Sequence, residues 1–241
     1  MRIATVDDMN LEAEEPAELT LAELDPRGAI CEAYERVYRG SRADFLRKAS
    51  VGGAALLGAL AAVPDADAVA ANDVDILNYA LTLEYVQAAF YTEAERVNAL
   101  TGKARQASEV VGAVERAHVK AIRTALGSAA VSRPTFDFRG TTEDQRKFLK
   151  TAVAFEDLAV AAYKAQAPRI RAKPILAVAV SIHSVEARHA AWMRRLFGII
   201  PAAAPFDEAL SRPKVTRIVS STGFVTASGR TQRKGKPRFT G

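Results

Sequence analysis

The sequence predicts an all-α protein built on a four-helix bundle, in which two antiparallel helical hairpins are joined by a crossover connection. Three observations lead to this fold class. From residue 72 onward, apolar residues recur at helical spacing with only short Gly- and Pro-containing interruptions. One interruption is longer than the others. At one level of the expected core, every helix carries a glutamate.

The first two helices are expected at residues 73–100 and 104–126. Thr101 and Gly102 form a short break that ends the first helix, and Gly127 ends the second. Because so short a connection reverses the chain direction, the two helices form an antiparallel hairpin.

The second hairpin comprises helices expected at 142–167 and 174–197. Thr141 or Thr142 can cap its first helix, and Pro168 and Pro174 bracket the turn between the two helices. The link from residue 128 to residue 140 is longer, and about a dozen extended residues can run the length of a bundle. We therefore expect this link to be the crossover.

The inward-facing positions are apolar except at one level of the bundle. There, helices one and three each present a glutamate, and helices two and four each present Glu-x-x-His, whose two side chains lie on one helix face. Four buried carboxylates would cost several kcal/mol each if unpaired, so a positive charge is expected among them. The polar residues of this level are Glu84, Glu115, His118, Glu156, Glu186 and His189.

The two hairpins are copies of one pattern. The first glutamates of the hairpins are 72 residues apart, and the second glutamates and the histidines are 71 residues apart. Each hairpin also has a tyrosine seven residues after its first glutamate, at Tyr91 and Tyr163. A single Glu-x-x-His is a weak signal, but two copies in register form a strong one.

These segments resemble the ferritin-like superfamily, and specifically the bacterial ferritin-like domain family that includes desiccation-related proteins. The resemblance covers about residues 72–197 and implies a ferritin-like four-helix bundle, with a weaker match at 205–207. The segments that carry it are Leu81–Tyr91, Val114–His118, Pro134–Phe138, Phe155–Leu158 and Val185–His189.

The resemblance also implies a ligand set for two metal ions, and the same residues would be the catalytic ones. Carboxylate-rich sites with imidazole suit iron, with manganese as the alternative. The implied roles are terminal carboxylates for Glu84 and Glu156, bridging carboxylates for Glu115 and Glu186, and terminal nitrogen donors for His118 and His189.

The leading functional hypothesis is a di-iron carboxylate protein with oxidoreductase or ferroxidase-type activity toward dioxygen or peroxide. The alternative is a non-enzymatic metal-binding or stress-protective envelope protein. A third interpretation is a metal-free polar layer that holds the bundle in register. His183 is expected near the site or at the surface rather than as a ligand, and whether the protein forms a homo-oligomer is left open.

The regions outside the bundle, which is expected at 72–200, differ in charge. Residues 1–35 hold ten acids and two bases, so 1–40 is interpreted as an acidic extension of low order. Residues 201–241 form a C-terminal extension that ends in a basic tail. Scattered bases without interleaved aromatic residues argue against specific nucleic-acid binding. The single cysteine excludes a disulfide framework.

Residues 41–71 have the layout of an export signal, with a basic start, a short apolar stretch and a small-x-small site at Ala66–Ala68. The start is similar to the twin-arginine consensus, but Ala43 replaces the second arginine. We therefore expect an exported, periplasmic or extracytoplasmic protein. The alternatives are a cytoplasmic protein with a buried helix here, or tethering to the membrane through an uncleaved 45–63 segment. The apolar run is too short for a stable transmembrane span.

Overall fold

A computed structural model of the protein describes residues 71–227. The predicted acidic extension, nearly all of the signal-like segment and the basic tail lie outside the described residues. Four long helices form a bundle, which confirms the predicted fold class. Their bounds are α1 Ala71–Val97, α2 Gly102–Leu126, α3 Gln145–Gln166 and α4 Lys173–Phe197.

The bundle consists of two hairpins, as predicted. Helix α1 packs along α2 and α3 packs along α4, whereas fewer contacts join α1 to α3 and α2 to α4. The link between the hairpins contains a 3₁₀ turn at Gly127–Ala129 and a short strand, β1 at Thr135–Phe136. Between residues 71 and 227, no helix is long and apolar enough to cross a bilayer.

Two of the predicted helix boundaries are wrong by about a turn. Helix α1 ends at Val97 rather than at residue 100, because Asn98 adopts a left-handed φ of 57°. Helix α3 begins at Gln145 rather than at 142, because Asp144 is its cap and accepts a hydrogen bond from the Lys147 amide. Thr142 is instead fully buried and donates its hydroxyl hydrogen bond to Glu93.

A fifth helix and a strand pair lie outside the four predicted helices. Helix α5 spans Arg212–Thr222, and its Val215 side chain is fully buried against the bundle. Strand β2 at Val225–Ala227 then pairs antiparallel with β1. Residues 210–227 therefore pack against the bundle, and β2 pairs with the strand of the crossover.

The core of the bundle is divided along its length by a polar layer. On one side lies an apolar cluster that includes Leu81, Ile122 and Ile182. On the other side lies an aromatic-rich cluster in which the Phe90 ring stacks on the Phe148 ring with centroids 5.1 Å apart. The polar layer is thus packed between two apolar clusters along the bundle axis.

Candidate metal centre

The structure brings all six predicted ligands together in the polar layer. Helix α1 and α3 contribute one glutamate each, and α2 and α4 contribute the two Glu-x-x-His pairs. The four glutamates are 0% exposed, whereas His118 is 8% exposed and His189 is 6% exposed. The layer is therefore closed to bulk water on the carboxylate side and reaches the surface only at its histidines.

The first half of the layer is centred on His118. Its Nδ1 atom lies 3.3 Å from Glu84 Oε2 and 3.1 Å from Glu186 Oε1. The same nitrogen is 3.3 Å from Glu115 Oε2. These four residues form one group whose ligand atoms lie within 4.8 Å of one another, which is close enough to hold a metal ion.

The second half of the layer is centred on His189. Its Nδ1 atom lies 2.8 Å from Glu115 Oε1 and 3.4 Å from Glu156 Oε2. With Glu186, these residues form a second group of the same compactness. Glu115 and Glu186 belong to both groups, as the bridging positions implied by the resemblance require.

Two tyrosines hold the outer oxygens of the non-shared glutamates. The Tyr163 hydroxyl donates to Glu84 Oε1 at 2.6 Å, and the Tyr91 hydroxyl donates to Glu156 Oε1 at 2.5 Å. Each tyrosine thus reaches across to the glutamate of the other hairpin. Burial and the neighbouring carboxylates raise the pKa of both phenols well above the ordinary value, which keeps them as hydrogen-bond donors.

A third donor in the layer was not among the predicted site residues. Gln87 is 2% exposed, and its Nε2 atom donates to Glu186 Oε2 at 3.2 Å. The only signal for Gln87 in the sequence was its position one turn after Glu84 on α1. A single glutamine among apolar residues is not part of any metal-binding motif.

The inner oxygens of the glutamates are left for a cation. Each of these four oxygens lies 2.8–3.4 Å from a histidine Nδ1. None of them makes a directed hydrogen bond with any residue in the described range. Buried carboxylate oxygens without hydrogen-bond donors are costly unless a positive charge lies beside them. They are Glu84 Oε2, Glu115 Oε1, Glu156 Oε2 and Glu186 Oε1.

The pKa values of the layer residues are shifted by burial and by the closeness of the carboxylates to one another and to the histidines. Burial raises the pKa of Glu84 to about 7 although His118 opposes the shift, and burial with neighbouring carboxylates raises that of Glu186. Burial also acts on Glu115, but the histidines outweigh it and lower its pKa. Burial opposes protonation of the histidines, yet the carboxylates raise the pKa of His118, and that of His189 to about 10.

Arg116 and Arg188, the arginines next to the layer glutamates in sequence, do not neutralise the layer. Arg116 forms its ion pair with Glu95 at 3.0 Å, on the outside of the hairpin. Arg188 donates to the carbonyl of Ser184 on its own helix. Among residues 71–227, no lysine or arginine forms an ion pair with any of the four layer glutamates. Two divalent ions would match the charge of the four glutamates once all of them are ionised.

His183 takes no part in either four-residue group among the described residues. It lies one turn before Glu186 on α4, and its side chain is only partly buried. That His183 is not a ligand stays a prediction.

The fold and the layer define a helical-bundle protein with a buried carboxylate–imidazole cluster compatible with a di-metal site. A family model described as a ferritin-like domain matches residues 72–198, and the chain therefore belongs to the ferritin-like family. The matched region contains all six clustered residues. A comparison with curated proteins finds no match to the chain.

Proposed function

We propose that the protein binds two iron ions in the carboxylate–histidine layer and oxidises Fe(II) or a small reduced substrate with dioxygen or peroxide. The observation that carries this proposal is the set of four buried carboxylate oxygens, each beside a histidine Nδ1 and without a directed partner among the described residues. When bound, iron in such an oxygen-rich donor set supplies the electrons that reduce dioxygen or peroxide. Manganese in the same donor set is the alternative.

The chain's own residues prepare the site. The hydroxyls of Tyr91 and Tyr163 fix one oxygen of each terminal glutamate and so aim the other oxygen inward. The apolar clusters on both sides exclude water and strengthen every charge interaction in the layer. His118 and His189 are the layer's only ligands with measurable exposure, so small reactants are expected to arrive between α2 and α4.

The test compares metal content and Fe(II) oxidation in matched variants. The wild-type protein should bind about two ions per chain and oxidise added Fe(II) when air is admitted. A variant with Glu84→Ala and Glu156→Ala should lose oxidation, and one with His118→Ala and His189→Ala should lose metal. His183→Ala is the control and should retain both properties.

The outcomes separate the hypotheses. Metal content that is unaffected by the double histidine change would contradict the site assignment. Two bound ions without Fe(II) oxidation would indicate the non-enzymatic metal-binding role. Anomalous scattering at the iron and manganese edges, measured on protein purified without added metal, would identify the ion.

A further inference from the structure

We infer that Gln87 makes the two metal positions unequal, so that the first ion binds beside Glu84 and His118. The inference rests on the proposed function, because it concerns the order in which two ions enter the same layer. It assigns a positioning role to a residue that does not itself ligate.

The contacts of Glu186 are the starting point. Its Oε2 atom accepts the hydrogen bond from Gln87 Nε2 at 3.2 Å. Its Oε1 atom lies 3.1 Å from His118 Nδ1. The amide therefore fixes this carboxylate with its free oxygen toward the His118 half of the layer.

Glu115 is the corresponding glutamate of the other hairpin, and its contacts differ. Its Oε2 atom lies 3.3 Å from the nitrogen of His118, whereas its Oε1 atom lies 2.8 Å from that of His189. Each oxygen thus faces a different half of the layer. Glu115 therefore has a histidine nitrogen beside each of its oxygens, whereas Glu186 has one beside Oε1 and the Gln87 amide beside Oε2.

The internal repeat explains the difference. The offset of 72 residues that relates Tyr91 to Tyr163 also relates Gln87 to Ala159. The methyl group of Ala159 has no hydrogen to donate, so the second hairpin lacks the amide. Gln87 is therefore a polar contact that breaks the approximate twofold symmetry of the layer.

Unequal binding follows from preorganisation. At the His118 position, Glu186 is already held in a ligating orientation, so binding there requires little reorganisation of its side chain. The contacts of His189 are with Glu115 and Glu156, so binding of an ion at the His189 position would require the Glu186 side chain to adjust against its hydrogen bond with Gln87. A hydrogen bond to a charged group corresponds to about a tenfold change in affinity or more.

The experiment is a titration of metal-free protein with Mn(II), followed by electron paramagnetic resonance. Isolated Mn(II) gives a six-line spectrum, whereas two neighbouring ions couple and lose it. The wild-type protein should build up the isolated-ion spectrum over the first equivalent. Its first dissociation constant should be tighter than the second by about tenfold beyond the statistical ratio for equal sites.

Two variants test the role of the amide. Gln87→Met keeps the side-chain volume without a donor, and Gln87→Asn keeps an amide that is one methylene too short to reach. Both should weaken the first binding step by about tenfold and bring the two constants close to the statistical ratio. Gln166→Met, at another buried glutamine outside the layer, is the control and should titrate as the wild type does.

Circular dichroism establishes that each variant is folded. Should neither Gln87 variant fold, wild-type crystals with less than one equivalent of Mn(II) decide the question, since the anomalous peak should lie beside His118 rather than His189. Anomalous peaks of equal height beside the two histidines would overturn the inference alone. So would a ratio of the two Mn(II) dissociation constants that is the same in Gln87→Met as in the wild type. Fewer than two Mn(II) ions per wild-type chain would overturn the proposed function as well. Unequal Mn(II) binding without Fe(II) oxidation would overturn only the proposed function.

Discussion

Replacing Glu84 with glutamine should make the metal-free protein more stable at alkaline pH. The Glu84 carboxylate is fully buried, and burial raises its pKa from the ordinary 4.5 to about 7. Each pH unit between those values corresponds to about 1.4 kcal/mol, so ionised Glu84 lowers the free energy of unfolding by about 3 kcal/mol above pH 7. Glutamine has the shape of the protonated acid and no charge to bury.

The direction of the pH dependence follows from the raised pKa. The folded state retains the Glu84 proton longer than the unfolded state, so the contribution of Glu84 to stability is complete below pH 4.5 and is lost as the pH rises through about 7. The raised pKa values of Glu186, His118 and His189 act in the same direction. Glu115 acts in the opposite direction, but only below its ordinary pKa.

Urea unfolding of chelator-treated protein at pH 5 and pH 8.5 measures the effect. The wild-type protein should lose stability between these values, and Glu84→Gln should be more stable than the wild type at pH 8.5 by about 3 kcal/mol. Glu109→Gln, on the exposed face of α2, is the matched control. A Glu84→Gln protein that is less stable than the wild type at pH 8.5 would refute the reasoning and indicate a paired structural layer.

Three further predictions concern packing and processing. Gly112→Ala should lower the free energy of unfolding by roughly 1–3 kcal/mol, because the added Cβ would lie 2.8 Å from the Tyr91 Cβ. A urea midpoint equal to that of the wild type would contradict so close an approach of α1 and α2. Asp73→Ala should lower the free energy of unfolding by about 2 kcal/mol or more, since this buried carboxylate accepts a hydrogen bond from the Ala172 amide at 2.8 Å at the start of α4. A thermal midpoint equal to that of the wild type would contradict this prediction. If residues 41–71 are an export signal, N-terminal sequencing of native protein should begin near Val69, whereas an intact Met1 would favour the buried helix.

The arrangement of the bundle could be predicted from the sequence because it depends on local periodicity. Apolar spacing located four helices, and two short breaks with one long link placed them in two hairpins. The repeated Glu-x-x-His pattern placed six metal-ligand candidates at one level of the bundle. Residues that are equally far from the turn between two antiparallel helices lie at the same level, because the rise per residue is the same in both helices. The cost of burying unpaired carboxylates then indicated a cation.

The end of α1 and the elements after α4 were less predictable from the sequence, because their structure depends on contacts between residues distant in sequence. Helix α1 ends at the left-handed Asn98, four residues before the glycine that marked the expected break. Helix α5 has few apolar residues of its own and is anchored mainly by Val215 against the bundle. Strand β2 pairs with a strand about 90 residues earlier in the chain, so neither strand has a pattern that identifies it alone.

The sequence by itself determined the four glutamates and two histidines of the layer, and the tertiary structure decided which atom of each faces which neighbour. Tyr91 donates to the glutamate 65 residues away, and Gln87 donates to one 99 residues away. Such pairings depend on how each helix is rotated about its axis and shifted along it relative to the others. Helical periodicity fixes a residue's position on its own helix but leaves those two quantities free, and the packing of the whole core sets them.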